Sequence, residues 1–182
     1  MEGALPGMSS LLSGLGPGEV RSVLDLGPAS GPSLRVYSGF ARWVRFANLP
    51  GRMGSGEGRD RMLGPLPSSP GPPYDLILAW NALDDLVPEL QSQVVQRIVE
   101  VSAPSARLHA LFDASGRRTA SPMRFSLLDP GRMLLEPVGP PRPRGPQLLP
   151  GGVESILEPF HVLRGFSLKT GFREYLAVRR SK

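Results

Sequence analysis

The stretch Val23-Leu24-Asp25-Leu26-Gly27-Pro28-Ala29-Ser30-Gly31 holds the residue types in this chain best suited to chemistry. It places a carboxylate and two glycines where a short apolar run, 21–26, gives way to a segment that can open a helix, with Pro32 set for the first turn. Glycines at such a turn let the backbone come close to a ligand, and the unpaired N–H groups at a helix start suit a carboxylate or phosphate. The dinucleotide fingerprint GxGxxG is not met, because Ala29 and Pro32 stand at its second and third glycine positions. A small-molecule cradle without a pyrophosphate site is the expectation.

Other polar residues fall near strand ends. Asn48 closes a second apolar segment, and Trp80-Asn81 follow the run Tyr74-Asp75-Leu76-Ile77-Leu78-Ala79. Asp84 and Asp85 precede a helical pattern and read as helix caps. His109 sits inside an apolar strand, where a hydrogen-bonded structural role is expected, and His161 is read the same way. Two distant histidines and scattered carboxylates form no ligand set, so no metal is indicated, and no Ser-His-Asp arrangement stands out. No catalytic residue is identified.

These residues need elements to hold them. Met8, Leu11, Leu12 and Leu15 recur at helical spacing, framed by Gly and Pro, which predicts a loose N-terminal helix or extension over 1–20. A strand over 21–26, a helix from Pro32 to about Trp43 and a strand over 43–48 follow, and then a Gly/Pro/Ser/Arg-rich loop over 50–73. The apolar run 74–80 reads as a central strand of a parallel sheet. Leu90, Val94, Val95, Ile98 and Val99 mark a helix over about 87–101, ended by Pro104, and 107–112 is the next strand. Beyond Asp113 lies a Pro/Arg-rich loop at 137–150, then a short helix near 153–157 and two strands, 160–168 and 172–178, joined by Lys169-Thr170-Gly171 as a hairpin. The whole predicts an α/β fold: a Rossmann-like, mostly parallel sheet with helices on both faces and a C-terminal antiparallel hairpin, one domain over 21–182 with flexible loops near 50–73 and 137–150.

The segment VLDLGPASG resembles the first motif of the class I S-adenosylmethionine-dependent methyltransferases, an acidic residue followed by a Gly-rich turn. YDLILAWNALDDL is similar to that family's fourth strand and following loop, ARLHALFD to its fifth strand, and the closing hairpin to its antiparallel final pair. The resemblance implies S-adenosylmethionine as cofactor, with Asp25, Gly27, Ser30 and Gly31 around its amino acid end. Pro28 and Ala29 lie in the same turn, and Asn48, Trp80 and Asn81 complete the cofactor-binding set. Asp25 has an alternative role bracing the turn, and Trp80 one in the core. Two departures stand out. The family commonly has a carboxylate where this chain has Asn48, and an amide makes a weaker bond to ribose hydroxyls. The family also fits a helix and a third strand between Asn48 and Tyr74, where this sequence reads as loop.

Composition excludes several classes. Cysteine is absent, which removes disulfides, thiolate metal sites and cysteine nucleophiles. No run approaches the roughly 20 apolar residues of a membrane helix, and the N-terminus lacks a signal-peptide pattern, so a soluble, cytoplasmic protein with no membrane partner is expected. The net charge of +5 is carried almost wholly by Arg, with Lys169 and Lys182 the only lysines. Three functions remain in view. The first is a methyltransferase-like protein binding a small-molecule cofactor and acting on an unknown methyl acceptor. The second is an inactive relative serving as an interaction or scaffold subunit, whose open sheet edge invites a protein partner or a homodimer. The third, less favoured, binds nucleic acid or another anionic partner through Arg117, Arg118, Arg142, Arg144, Arg179 and Arg180.

Overall fold

The computed structural model describes residues 1–13, 20, 22–49, 63–67, 72–84, 86–143 and 147–180. In chain order the elements are β1 (Glu2–Ala4), α1 (Pro6–Ser13), β2 (Ser22–Asp25), α2 (Gly31–Tyr37), β3 (Trp43–Phe46), β4 (Tyr74–Trp80), α3 (Pro88–Val101), β5 (Ser102–Asp113), β6 (Thr119–Ala120), β7 (Met123–Asp129), β8 (Arg132–Pro137), β9 (Arg142–Pro143), α4 (Pro150–Ile156), β10 (Phe160–Ser167) and β11 (Phe172–Arg179).

The main sheet has six strands in the order β10-β11-β5-β4-β2-β3. The pairs β2–β3, β2–β4 and β4–β5 are parallel, while β11 runs antiparallel to both β5 and β10. Strand order reverses at β2, with β3 on one side and β4 on the other, and ligands bind beyond the carboxyl ends of the strands at such a switch point. Leu76 to Trp80 are all buried, as a near-continuous apolar run requires of a strand covered on both faces. Among the described residues β3 is the outermost strand on its side, and Trp43 is exposed there.

Side-chain alternation divides the core. Leu24, Leu26, Ile77, Ala79, Leu108 and Ala110 face one side and pack under α3 and α4, whose Val94, Val95, Ile98 and Val153 complete an apolar cluster. Val23, Leu76, Leu78, Leu111 and Leu176 face the other, under Leu5, Met8 and Leu11 of the N-terminal segment, Tyr37 of α2, and Phe125, Leu127, Met133 and Leu135. These last four belong to an antiparallel hairpin, β7–β8, which β1 extends into a three-stranded sheet of order β1-β8-β7.

Several expectations are corrected. Residues 1–13 of the predicted N-terminal extension are docked, not loose, since Leu5 and Met8 are fully buried and β1 pairs with β8. The β7–β8 hairpin was not foreseen, although Asp129-Pro130-Gly131 separates two alternating runs; the Asp129 carboxylate accepts from Gly131 N at 2.9 Å and closes the turn. Helix α2 ends at Tyr37, six residues short of the predicted end, because Ser38-Gly39-Phe40 fold into a turn in which Gly39 N bonds Val36 O. Helix α3 ends at Val101, ahead of Pro104, and passes straight into β5; Pro104 and Ser105 are exposed in an irregular stretch of that strand, the place where a sheet tolerates proline. Asp84 does not cap α3, whose N-cap is Val87 with no side-chain bond, and instead accepts from Asp113 N at 3.1 Å. Asp85 and Leu15 lie outside the described residues, as do 50–62 and 68–71 of the predicted loop, whereas Leu66 within that span is part of the core.

Candidate functional site

Past Asp25 the chain stays paired for two more residues: Leu26 N bonds Leu78 O, and Asn48 N bonds Gly27 O. The turn is thereby stitched to the ends of β4 and β3. The Asp25 side chain is only 2% exposed. Its Oδ1 accepts from Gly27 N at 2.8 Å and from Trp80 Nε1 at 2.7 Å, and its Oδ2 accepts from the Tyr37 hydroxyl at 2.7 Å. Burial raises the Asp25 pKa to about 6, even though the bonds from Tyr37, Gly27 and Trp80 pull it down. Burial, and then the Asp25 charge, hold the Tyr37 hydroxyl well above its ordinary pKa. Gly27 is required by this packing: a Cβ there would lie 3.1 Å from Asp25 Oδ1 and 3.3 Å from Trp80 Cδ1. Asp25 thus braces the turn and fixes the indole of Trp80.

The start of α2 is also occupied. The Ser30 hydroxyl caps Ser33 N at 3.4 Å and bonds the Ser126 hydroxyl at 2.8 Å, while Ser33 Oγ accepts from Leu127 N at 2.9 Å. Strand β7 is therefore seated against the helix start.

Beside the turn opens a cleft of about 780 Å³, within the range of small-molecule sites. One wall comes from the carboxyl ends of β2, β3 and β4: Gly27, Pro28, Asn48, Leu49, Trp80 and Asn81. The rest of the lining comes from the 113–142 region and the β10–β11 turn, and brings in Asp113, Arg117, Arg124, Arg142 and Lys169. Trp80, Phe125 and Phe172 also line it; Trp80 stacks on Phe125 at 5.6 Å and 10°, and Phe125 meets Phe172 edge-on at 5.5 Å.

Of the residues predicted for the site, Gly27, Pro28, Asn48, Trp80 and Asn81 are brought together on the cleft. Asp25, Ala29, Ser30 and Gly31 do not line it: Asp25 is enclosed, Ser30 is tied to β7, and Gly31 has nothing within 4 Å of where a Cβ would stand. Asn48 and Trp80 share a left-handed backbone, with φ of 48° and 46°. Asparagine adopts this conformation readily, but for tryptophan it costs free energy, and such outliers gather at functional sites. Of the cations on the cleft, Arg117 and Arg142 are among the residues that the sequence offers for an anionic partner, whereas Arg124 and Lys169 are not, because nothing local shows that separate segments line one cleft.

His109 and Glu174 form a second buried polar group. The carboxylate, 0% exposed, accepts from Gly7 N and Met8 N at 2.8 Å each, and His109 Nε2 lies 3.0 Å from its Oε1. Glu174 thus holds the start of α1, and His109 is structural. His161, by contrast, is exposed, because β10 is an edge strand with half its residues facing outward. Among the described residues no three metal-ligating side chains gather, and no helix is long and apolar enough to cross a membrane.

No family model matches the chain, and no curated protein matches it. Solved structures do. The S-adenosylmethionine-dependent methyltransferase of Methanosarcina mazei is 14% identical, with a TM-score of 0.57 over 95% of this chain and 98% of that one. The 1,6-didemethyltoxoflavin-N1-methyltransferase of Burkholderia thailandensis, solved with 1,6-didemethyltoxoflavin and S-adenosylhomocysteine, is 14% identical, with a TM-score of 0.57 over 97% of this chain and 78% of that one. The pyocyanin biosynthetic protein PhzM is 20% identical, with a TM-score of 0.51 over 94% of this chain; the chain spans about half of PhzM, 54%. At these identities the likeness establishes architecture: the chain has the class I S-adenosylmethionine-dependent methyltransferase fold.

Proposed function

From that fold, we propose that the chain is a methyltransferase-like protein that binds S-adenosylmethionine in the cleft, across the carboxyl ends of β2, β3 and β4. The observation that carries this reading is the position of the cleft, at the switch point where strand order reverses, with Gly27 and Pro28 on one flank and Trp80 and Asn81 on the other. The bound structure from Burkholderia thailandensis, which holds S-adenosylhomocysteine on the same fold, supports it.

The residues present fit the cofactor in space and in part in chemistry. Gly27 offers backbone without a side chain to obstruct approach, and Trp80, pinned by Asp25, gives a rigid apolar surface. Asn48 stands exposed at the end of β3, with an amide that can bond one ribose hydroxyl. Asp113 is the single carboxylate among the lining residues. When bound, the cofactor supplies an activated methyl group: the acceptor's lone pair forms the new bond, the carbon–sulfur pair leaves to sulfur, and any acceptor proton passes to water. The chain's own task is alignment and exclusion of water, which needs no acid or base of unusual strength.

Calorimetric titration with S-adenosylmethionine and S-adenosylhomocysteine tests the reading. Saturable binding is expected, tightened about fivefold in Asn48→Asp, because a carboxylate bonds the ribose hydroxyls with charge assistance, and weakened in Asn48→Ala. Absence of heat at millimolar ligand, in the parent chain and in Asn48→Asp alike, contradicts it and turns the reading to an interaction subunit without cofactor.

A further inference from the structure

We infer that the methyl acceptor is a small anion, an apolar or aromatic body bearing a carboxylate or phosphate, gripped by Arg117, Arg124, Arg142 and Lys169; this rests on the cofactor reading of the same cleft. The four cations come from four separate places in the chain: the link after β5, strand β7, strand β9 and the β10–β11 turn. Their convergence on one cleft is a product of the fold and not of a local Arg-rich run. Among the described residues the only carboxylate lining the cleft with them is Asp113.

Arginines elsewhere show what the default looks like. Arg97 pairs with Glu100 at 3.1 Å, and Arg132 with both Asp129 at 2.6 Å and Glu2 at 3.3 Å. Among the described residues none of the four cleft cations is in an ion pair, although Glu136 stands directly across the β7–β8 ladder from Arg124. Four cations against one lining carboxylate, Asp113, leave the described lining with a net positive charge, and an anion in the cleft offsets it. Guanidinium forks bind carboxylate and phosphate oxygens in pairs.

The lining residues from the ends of β2, β3 and β4, Gly27, Pro28, Asn48, Leu49 and Asn81, are neutral. The cofactor is assigned to these, and the acceptor to the four cations. Trp80, Phe125 and Phe172 are buried against one another at the base of the cleft, so only their edges are apolar lining. The cleft is open to solvent, and its volume of about 780 Å³ is in the range of small-molecule sites. Arg179 lies at the far end of β11, roughly 20 Å from the Phe172 end by strand geometry. Arg179 therefore lies away from the four cleft cations.

The test is a titration of the protein, with saturating S-adenosylhomocysteine, against phenyl phosphate, benzoate, benzamide and benzylamine. Phenyl phosphate and benzoate are expected to bind and the neutral and cationic rings to bind at least tenfold more weakly. In Arg117→Gln/Arg142→Gln the anions should lose about tenfold in affinity, while S-adenosylhomocysteine changes by less than twofold. Equal binding of benzamide and phenyl phosphate, or anion binding indifferent to the double substitution, overturns the inference. A protein that binds S-adenosylhomocysteine but neither anion overturns this inference alone. One that binds the anions but not S-adenosylhomocysteine overturns the cofactor reading, and the acceptor role with it. Duplex DNA that binds through the same arginines, and that phenyl phosphate fails to displace, also contradicts a small anion.

Discussion

The two faces of the six-stranded sheet are held by different physics. Under α3 and α4 the contact is mainly apolar, with Leu24, Ile77, Val94, Ile98 and Leu108 at its centre, and its buried polar residues among those described, Gln91 and Ser102, are uncharged. Under α1, α2 and the small sheet it is apolar with two buried carboxylates set into it, Asp25 and Glu174, each meeting three polar partners. The first face depends on volume and the second on geometry as well, because a buried acceptor deprived of its donors, or donors of their acceptor, is costly. The specific face is also the one whose Trp80, Phe125 and Phe172 reach the cleft, so the carboxylates that fasten covering elements also fix the wall of the site.

Removing a carboxylate from the specific face should show this contrast most strongly. Glu174→Ala strands two N–H groups of α1 and His109 and is expected to cost about 3–5 kcal/mol in urea unfolding. Glu174→Gln should recover little of it, since an amide offers one acceptor oxygen where two are used. A loss near zero for either would mean that α1 is held by its apolar side chains alone.

The second contrast is pH. The folded-state pKa of Asp25 is raised from 3.8 to about 6, so between those values the folded chain binds a proton that the unfolded chain has released. Stability is then highest below about pH 4 for this group and falls as pH rises through about 6, by about 3 kcal/mol at most. Unfolding free energies from pH 4 to 7 should converge or cross between the parent and Asp25→Asn, in which that slope is gone. Parallel curves would contradict a desolvated carboxylate at 25.

A smaller effect is expected at Gly7, where a Cβ would stand 2.7 Å from the Glu174 carboxyl carbon. Gly7→Ala should cost about 1–3 kcal/mol by overpacking, despite the better helix propensity of alanine. On the generic face, Ile98→Leu keeps its volume and should cost less than about 1.5 kcal/mol by the same measurement. If Ile98→Leu proved the more damaging of the two, the division between the faces would fail.

Much of this architecture was legible in the amino-acid order, because parallel strands buried on both faces leave continuous apolar runs such as 74–80, and helices leave stripes such as Val94, Val95 and Ile98. The turn at Gly27 was legible for the same reason: glycine at a strand end states a steric need. What stayed hidden depends on partners distant in sequence. Asp25 reads equally well as a ligand group or a brace, and only the approach of Tyr37 and Trp80 decides between them. Glu174 carries no local sign that it will meet Gly7, 167 residues away. Arg117 and Arg142 read as candidates for an anionic partner, but nothing local to Arg124 or Lys169 shows that they line the same cleft. The β7–β8 hairpin does have a local signal, the turn residues Asp129-Pro130-Gly131 between two alternating runs.

The central claim is that the cofactor lies against the neutral lining residues of the cleft, and a crystal structure grown with S-adenosylhomocysteine tests it most directly. The account predicts the ligand beside Gly27, Asn48 and Trp80, with Asn48 in hydrogen-bond contact with a ribose hydroxyl and Asp25 still bonded to Trp80 and Tyr37. A ligand seated instead among Arg117, Arg142 and Lys169, or a cleft left empty at millimolar concentration, would contradict it.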